Sequence, residues 1–145
     1  MKVIFLSDTA HPNSTGSIFK QLIENGHKNE LASIIAKISH IAGLNGHPAK
    51  PYASPIRNAH GKLNEIRCKY IEHNLIRIYY FVDRSKNKMV LLNTTIKPDG
   101  SNNAAKYEGN SKKIIDRKIE NDIQLAITLK TQYPISLKNY DPLNF

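Results

Sequence analysis

Hydrophobic spacing divides the chain into a strand, a helical pair, three alternating strands and a last helix. Val3–Leu6 is a short apolar run that suits a buried or edge strand. A turn-rich stretch follows, from His11 through Pro12 to Gly16. Ser17–Glu24 places Phe19, Leu22 and Ile23 at helical spacing, and Asn25-Gly26 ends that helix. Asn29 can cap a second helix, along which Leu31, Ile34, Ile35, Ile38 and Ile41 form an apolar stripe. The pair reads as a helical hairpin with one face on a sheet. Pro48, Pro51, Pro55 and Gly61 mark the next stretch as a loop.

The period then changes to two. In Leu63–Tyr70, Ile66, Cys68 and Tyr70 alternate with Glu65, Arg67 and Lys69. After the turn at Glu72-His73-Asn74, Ile76, Ile78, Tyr80 and Val82 take one face of the next strand, and Arg77, Tyr79 and Phe81 the other. Met89–Ile96 is more continuously apolar, as a central strand would be. Short connections predict an antiparallel meander. Beyond a long Asn-rich loop, Lys112–Leu129 reads as a helix striped by Ile115, Ile119, Ile123, Ala126 and Leu129. The stretch after Thr131 reads as an irregular tail. The expected order is β-α-α-β-β-β-α, a single α+β domain over residues 1–145.

Charge adds a location to this pattern. The net charge is +9, and residues 62–118 hold 13 Lys or Arg against 6 Asp or Glu. Such a patch attracts polyanions, and general solubility is the plainer explanation. The lone Cys68 excludes an intrachain disulfide, fits a reducing compartment and reads as a buried small hydrophobe. The N-terminal apolar run is too short for a signal peptide, and no apolar stretch is long enough for a membrane span. A cytoplasmic protein without a membrane partner is expected. The six histidines are scattered without metal-ligand spacing, so no metal and no cofactor are expected. His60 and His73 flank the first basic strand as possible acid–base groups or solvated turn residues.

Strand parity puts Arg67 and Arg77 on one surface, with Lys69 beside them and Lys97 just past the end of the third strand. Such cations suit a phosphate and the charge that develops when a phosphodiester is attacked. The same pattern also fits an ordinary solvated face with Arg67 paired to Glu65 or Glu72. Tyr79 and Phe81 could stack on bases or pack under a helix. Tyr107, in the loop before the last helix, could act as acid, base or stacking ring, or anchor the loop. Lys112, Lys113 and Arg117 oppose the helix dipole, which suggests a ligand or partner for them.

Lys62-Leu63-Asn64-Glu65-Ile66-Arg67, Ile76-Arg77-Ile78-Tyr79-Tyr80-Phe81 and Met89-Val90-Leu91-Leu92-Asn93 together resemble the strand motifs of RelE/ParE superfamily toxins of type II toxin–antitoxin systems. The phage-derived Gp49-like, or HigB-like, branch is the nearest in pattern. The resemblance spans about residues 16–130. It implies a RelE-like fold, with helices packed on a small twisted antiparallel sheet, and a ribosome-dependent mRNA endoribonuclease, in which the ribose 2′-OH attacks the neighbouring phosphate without a metal. It implies mRNA, the ribosome and a cognate antitoxin protein as partners. It also implies catalytic roles for Arg67, Arg77, Lys97 and, loosely, Tyr107. RNA contacts would come from Lys62, Lys69, Tyr79, Lys112, Lys113 and Arg117. Asn64 stands where the family often has tyrosine, and Asn93-Thr94-Thr95 replaces a common His-Gly-Phe, so the general base is unassigned. Some members of the superfamily inhibit gyrase instead, and an inactive nucleic-acid-binding module is a further alternative.

Overall fold

The structure, a computed structural model, describes residues 1–56, 62–99 and 110–144. Among the described residues there are six strands: β1 (Lys2–Leu6), β2 (Ala53–Pro55), β3 (Asn64–Tyr70), β4 (Asn74–Asp83), β5 (Lys88–Pro98) and β6 (Tyr140–Leu143). The helices are α1 (Thr15–Glu24), α2 (Lys28–Gly43) and α3 (Asn110–Gln132). The strands form one sheet in the order β2-β3-β4-β5-β1-β6. β1 runs parallel to β5, and the other pairings are antiparallel. The α+β class and the β3-β4-β5 meander agree with the sequence pattern.

Four expectations are corrected. The Pro-rich loop contains β2, a three-residue edge strand that pairs Ser54 with Glu65. The tail is not irregular, because Tyr140–Leu143 pairs with β1 as the opposite edge. Pro142 is tolerated there since an edge strand leaves one side of its backbone unpaired. The sheet is mixed rather than wholly antiparallel. Finally, α2 starts at Lys28, with His27 rather than Asn29 as the flanking residue and no side-chain cap.

The two sheet faces bury different clusters. Ile18, Phe19 and Leu22 of α1 and Ile34, Ile38 and Ile41 of α2 pack on Ile66, Cys68, Ile76, Ile78 and Tyr80. Each fully buried side chain of this size contributes roughly 1.5–3 kcal/mol. On the other face, Ala126 and the half-buried Ile123 and Ile127 of α3 pack on Tyr79, Phe81, Val90 and Leu92. The arginine face of the meander is therefore the one that α3 partly covers. Among the described residues no helix is long and apolar enough to cross a membrane.

The α1 start is fixed by close approach. Ser14 caps the helix by accepting from the Ser17 backbone N–H at 3.0 Å, and its own hydroxyl donates to the Ser7 carbonyl. A Cβ on Gly16 would lie 2.6 Å from the Asp8 nitrogen and 2.7 Å from the Leu6 oxygen, so only glycine lets the helix meet the end of β1. A Cβ on Gly43, the last residue of α2, meets nothing within 4 Å. Gly16→Ala should lower stability by about 1–3 kcal/mol in a denaturant titration. Gly43→Ala should raise it by roughly 0.5–1 kcal/mol, the ordinary helix difference between the two residues.

Candidate phosphate-binding face

β3 and β4 place Arg67 directly opposite Arg77, and β5 places Thr95 opposite Arg77, so the three side chains form one row. Like charges directly opposed destabilise an antiparallel pair. Glu65, one pair along the same face, offsets this. Its Oε1 accepts from Arg67 Nε at 2.8 Å and lies 2.7 Å from Arg67 Nη2, while its Oε2 is 3.6 Å from Arg77 Nη1. Glu65 is 4% exposed, whereas the Arg67 side chain is half exposed. Arg77 is largely buried, and its Nε, itself shielded from solvent, has no hydrogen-bond partner among the described residues. A buried donor left unpaired costs about 1–3 kcal/mol unless something fills the position.

Lys97 joins this row through a β-bulge. Ile78 pairs with Thr94 but Tyr80 pairs with Leu91, so two residues of β5 oppose Tyr79. The extra residue reverses parity. Met89 and Leu91 point to the helical hairpin, and Ile96 does so again beyond the bulge. Thr95 and Lys97 thereby turn to the arginine face. Lys97 lies inside β5, not past its end as the sequence pattern suggested. Burial first, then the charges of Arg77 and Arg67, hold its ammonium below the ordinary lysine value.

A buried polar chain supports the row from below. Thr95 Oγ1 donates to Asp122 Oδ2 of α3 at 2.8 Å. The Tyr79 hydroxyl lies 2.6 Å from the same Thr95 oxygen. Thr95 has one proton to give, so Tyr79 is the donor in that contact. Burial pushes the Tyr79 phenol up to about 12, and the charges of Glu65 and Asp122 add to the effect. Asn93 Nδ2 donates to the Asp122 backbone carbonyl at 2.9 Å. These bonds fasten α3 along the sheet. Between the arginine row, β2 and α3 lies a cleft of about 790 Å³, lined by Lys50, Ser54, Glu65, Arg67, Arg77 and Ile123 among others.

The sequence-predicted residues divide accordingly. Arg67, Arg77 and Lys97 come together, and Lys69 sits exposed one pair along, where it shares Leu75 as a register partner with Lys97. Tyr79 is corrected: it is fully buried against α3, so its ring cannot stack on a base. The plainer expectation of an Arg67–Glu65 pair is met, and the same carboxylate also sits beside Arg77. Lys62 lies away from them, beside Lys130. Lys112, Lys113 and Arg117 are exposed on the first half of α3 and do not line the cleft. Tyr107 and His60 lie outside the described residues. Cys68 is 2% exposed, and burial pushes its thiol up to about 11, so it is an inert part of the core.

Glu65, Thr95 and Asp122 escaped the sequence reading as site residues. Glu65 shares the parity of Arg67 and was visible as a possible pair. Asp122 was detectable as a polar residue one turn before Ala126 in the apolar stripe. No protein-family model matches the chain, and no curated protein or solved structure is significantly similar to it.

Asp122→Ala leaves one O–H donor of the buried Tyr79–Thr95 pair without an acceptor, and should cost about 1–3 kcal/mol in denaturant unfolding. Asp122→Asn keeps an acceptor and should cost less.

Proposed function

We propose that this face binds a phosphodiester of mRNA and cleaves it by attack of the adjacent 2′-OH, in the manner of the RelE/ParE toxins that the strand motifs resemble. The observation that carries the proposal is that Arg67 and Arg77 line one cleft with a carboxylate, Glu65, between them, and that Lys97 stands on the same sheet face close enough to feel both arginine charges. In this reaction the 2′-oxygen forms a bond to phosphorus and the bond from phosphorus to the 5′-oxygen breaks. The products are a 2′,3′-cyclic phosphate and a 5′-hydroxyl. The 2′-OH proton goes to a base, and the departing 5′-oxygen takes a proton from an acid.

The chain's own groups suit each of these roles. Arg77, in the cleft wall, and the half-exposed Arg67 would hold the phosphate and offset its growing charge. Glu65 is the carboxylate between the two arginines and would accept the 2′-OH proton once the phosphate draws the guanidinium groups away from it. Lys97 would protonate the leaving oxygen, and its lowered pKa makes it a better acid than an ordinary lysine. An antitoxin and the ribosome would be the partners of such a toxin. A gyrase-inhibiting role or simple nucleic-acid binding would leave mRNA intact.

The test is mRNA integrity in a cell-free translation reaction. Wild-type protein should cut translated mRNA, and Arg77→Ala should slow cutting by about 10²–10³-fold. Glu65→Gln should bind RNA at least as tightly, because the arginines lose their internal partner, yet cut it poorly. Uncut mRNA with the wild-type protein would overturn the proposal. Cutting should also fall on the alkaline side below the ordinary lysine value of 10.5, because a lowered pKa depletes the protonated acid earlier as pH rises. Lys97→Arg should remove that limb from the pH profile.

A further inference from the structure

A second basic cluster lies next to the arginine cleft. Lys62, Arg84 and Lys130 line a cavity of about 430 Å³, and Pro55 and Ile56 are shared walls of this cavity and of the arginine cleft. The two cavities therefore adjoin, with Ile123 of α3 lining one and Lys130 of α3 the other. Among the described residues no carboxylate pairs with Lys62, Arg84 or Lys130. The nearby Asp83 is occupied by the Ser85 hydroxyl at 2.6 Å and the Tyr133 hydroxyl at 3.0 Å. Arg84 is anchored by donating to the Asn45 carbonyl. Lys130 rests its Nζ 5.2 Å from the centre of the buried Phe81 ring, which holds the ammonium in place. Burial and the charge of Lys62 both hold Lys130 below its ordinary pKa, so the two cations crowd each other without internal compensation.

We propose that Lys62, Arg84 and Lys130 form a second phosphate-binding site that holds a neighbouring phosphate of the RNA strand whose scissile phosphate lies at Arg67 and Arg77. This inference rests on the reading of the arginine cleft as an RNA site. A nucleic acid strand fits better than an acidic protein segment for two reasons. It carries a charge on every nucleotide, so one strand can engage two adjoining cationic sites at once. It also needs no apolar anchor, and the aromatic rings here, Phe81 and Tyr133, are buried rather than presented.

The test is fluorescence anisotropy with two 2′-O-methyl RNA probes, a dinucleotide and a hexanucleotide, over a range of salt. Lys62→Gln combined with Lys130→Gln should weaken hexanucleotide binding about tenfold and flatten its log–log salt dependence by about 1.4, the expectation for two lost contacts to a single strand. Dinucleotide binding should not change. Arg77→Gln should weaken both probes. Lys62→Arg with Lys130→Arg should retain hexanucleotide binding, which separates lost charge from lost fold. An unchanged hexanucleotide affinity and salt slope in the glutamine pair would overturn the second site while leaving the arginine cleft standing. Binding of an oligoglutamate peptide through these lysines, with the hexanucleotide indifferent to them, would overturn it in favour of an acidic protein partner. If Arg77→Gln affects neither probe, the cleft reading itself fails, and the second site loses its RNA strand with it.

Discussion

Two arginines stand directly opposite each other on β3 and β4, and Glu65 is what makes that juxtaposition tolerable. The carboxylate is buried while the Arg67 guanidinium reaches solvent, so the negative charge lies at the base of the cleft and the positive charge at its mouth. An approaching anion meets cations first. Among the described residues the buried Nε of Arg77 has no partner, so the internal pairing is incomplete. A fully satisfied ion pair would be a structural brace. This one leaves the half-exposed Arg67 guanidinium open to an anion.

The rest of the site depends on keeping β5 and α3 in fixed relation to that pair. The bulge opposite Tyr79 turns Thr95 and Lys97 toward the arginines, and the Tyr79–Thr95–Asp122 chain then ties the same strand to α3. Core packing on the other face holds the meander flat against α1 and α2, where Ile34, Ile38 and Ile41 are completely buried. The arginine row thus shares its face with the apolar cluster under α3, while the opposite face of the same strands is packed mainly with apolar side chains. That division follows from the period-two side-chain pattern.

This division also decides what could be read from sequence. Ile66, Ile76, Ile78 and Tyr80 on one side and Arg67 and Arg77 on the other were legible, because parity within a regular strand needs no tertiary information. Lys97 was legible as a nearby cation but not as a member of β5, because a bulge leaves no mark in the alternation of a continuously apolar strand. β2 and β6 escaped because each is three or four residues long and contains proline, which local pattern reads as a break. Their pairing comes from neighbours far away in the chain. The competition of Glu65 for both arginines required the register of β3 against β4, and the burial of Tyr79 required the position of α3.

The chemistry of the cut ends tests the central claim most directly. RNA recovered after expression of the chain can be mapped by primer extension and its ends assayed with a polynucleotide kinase lacking 3′-phosphatase activity. Attack by the 2′-OH at a phosphate held by Arg67 and Arg77 leaves 5′-hydroxyl ends, ready substrates for the kinase, at discrete sites in translated mRNA, and none in cells expressing Arg77→Ala. Intact mRNA, or new ends that carry a 5′-phosphate, would contradict it.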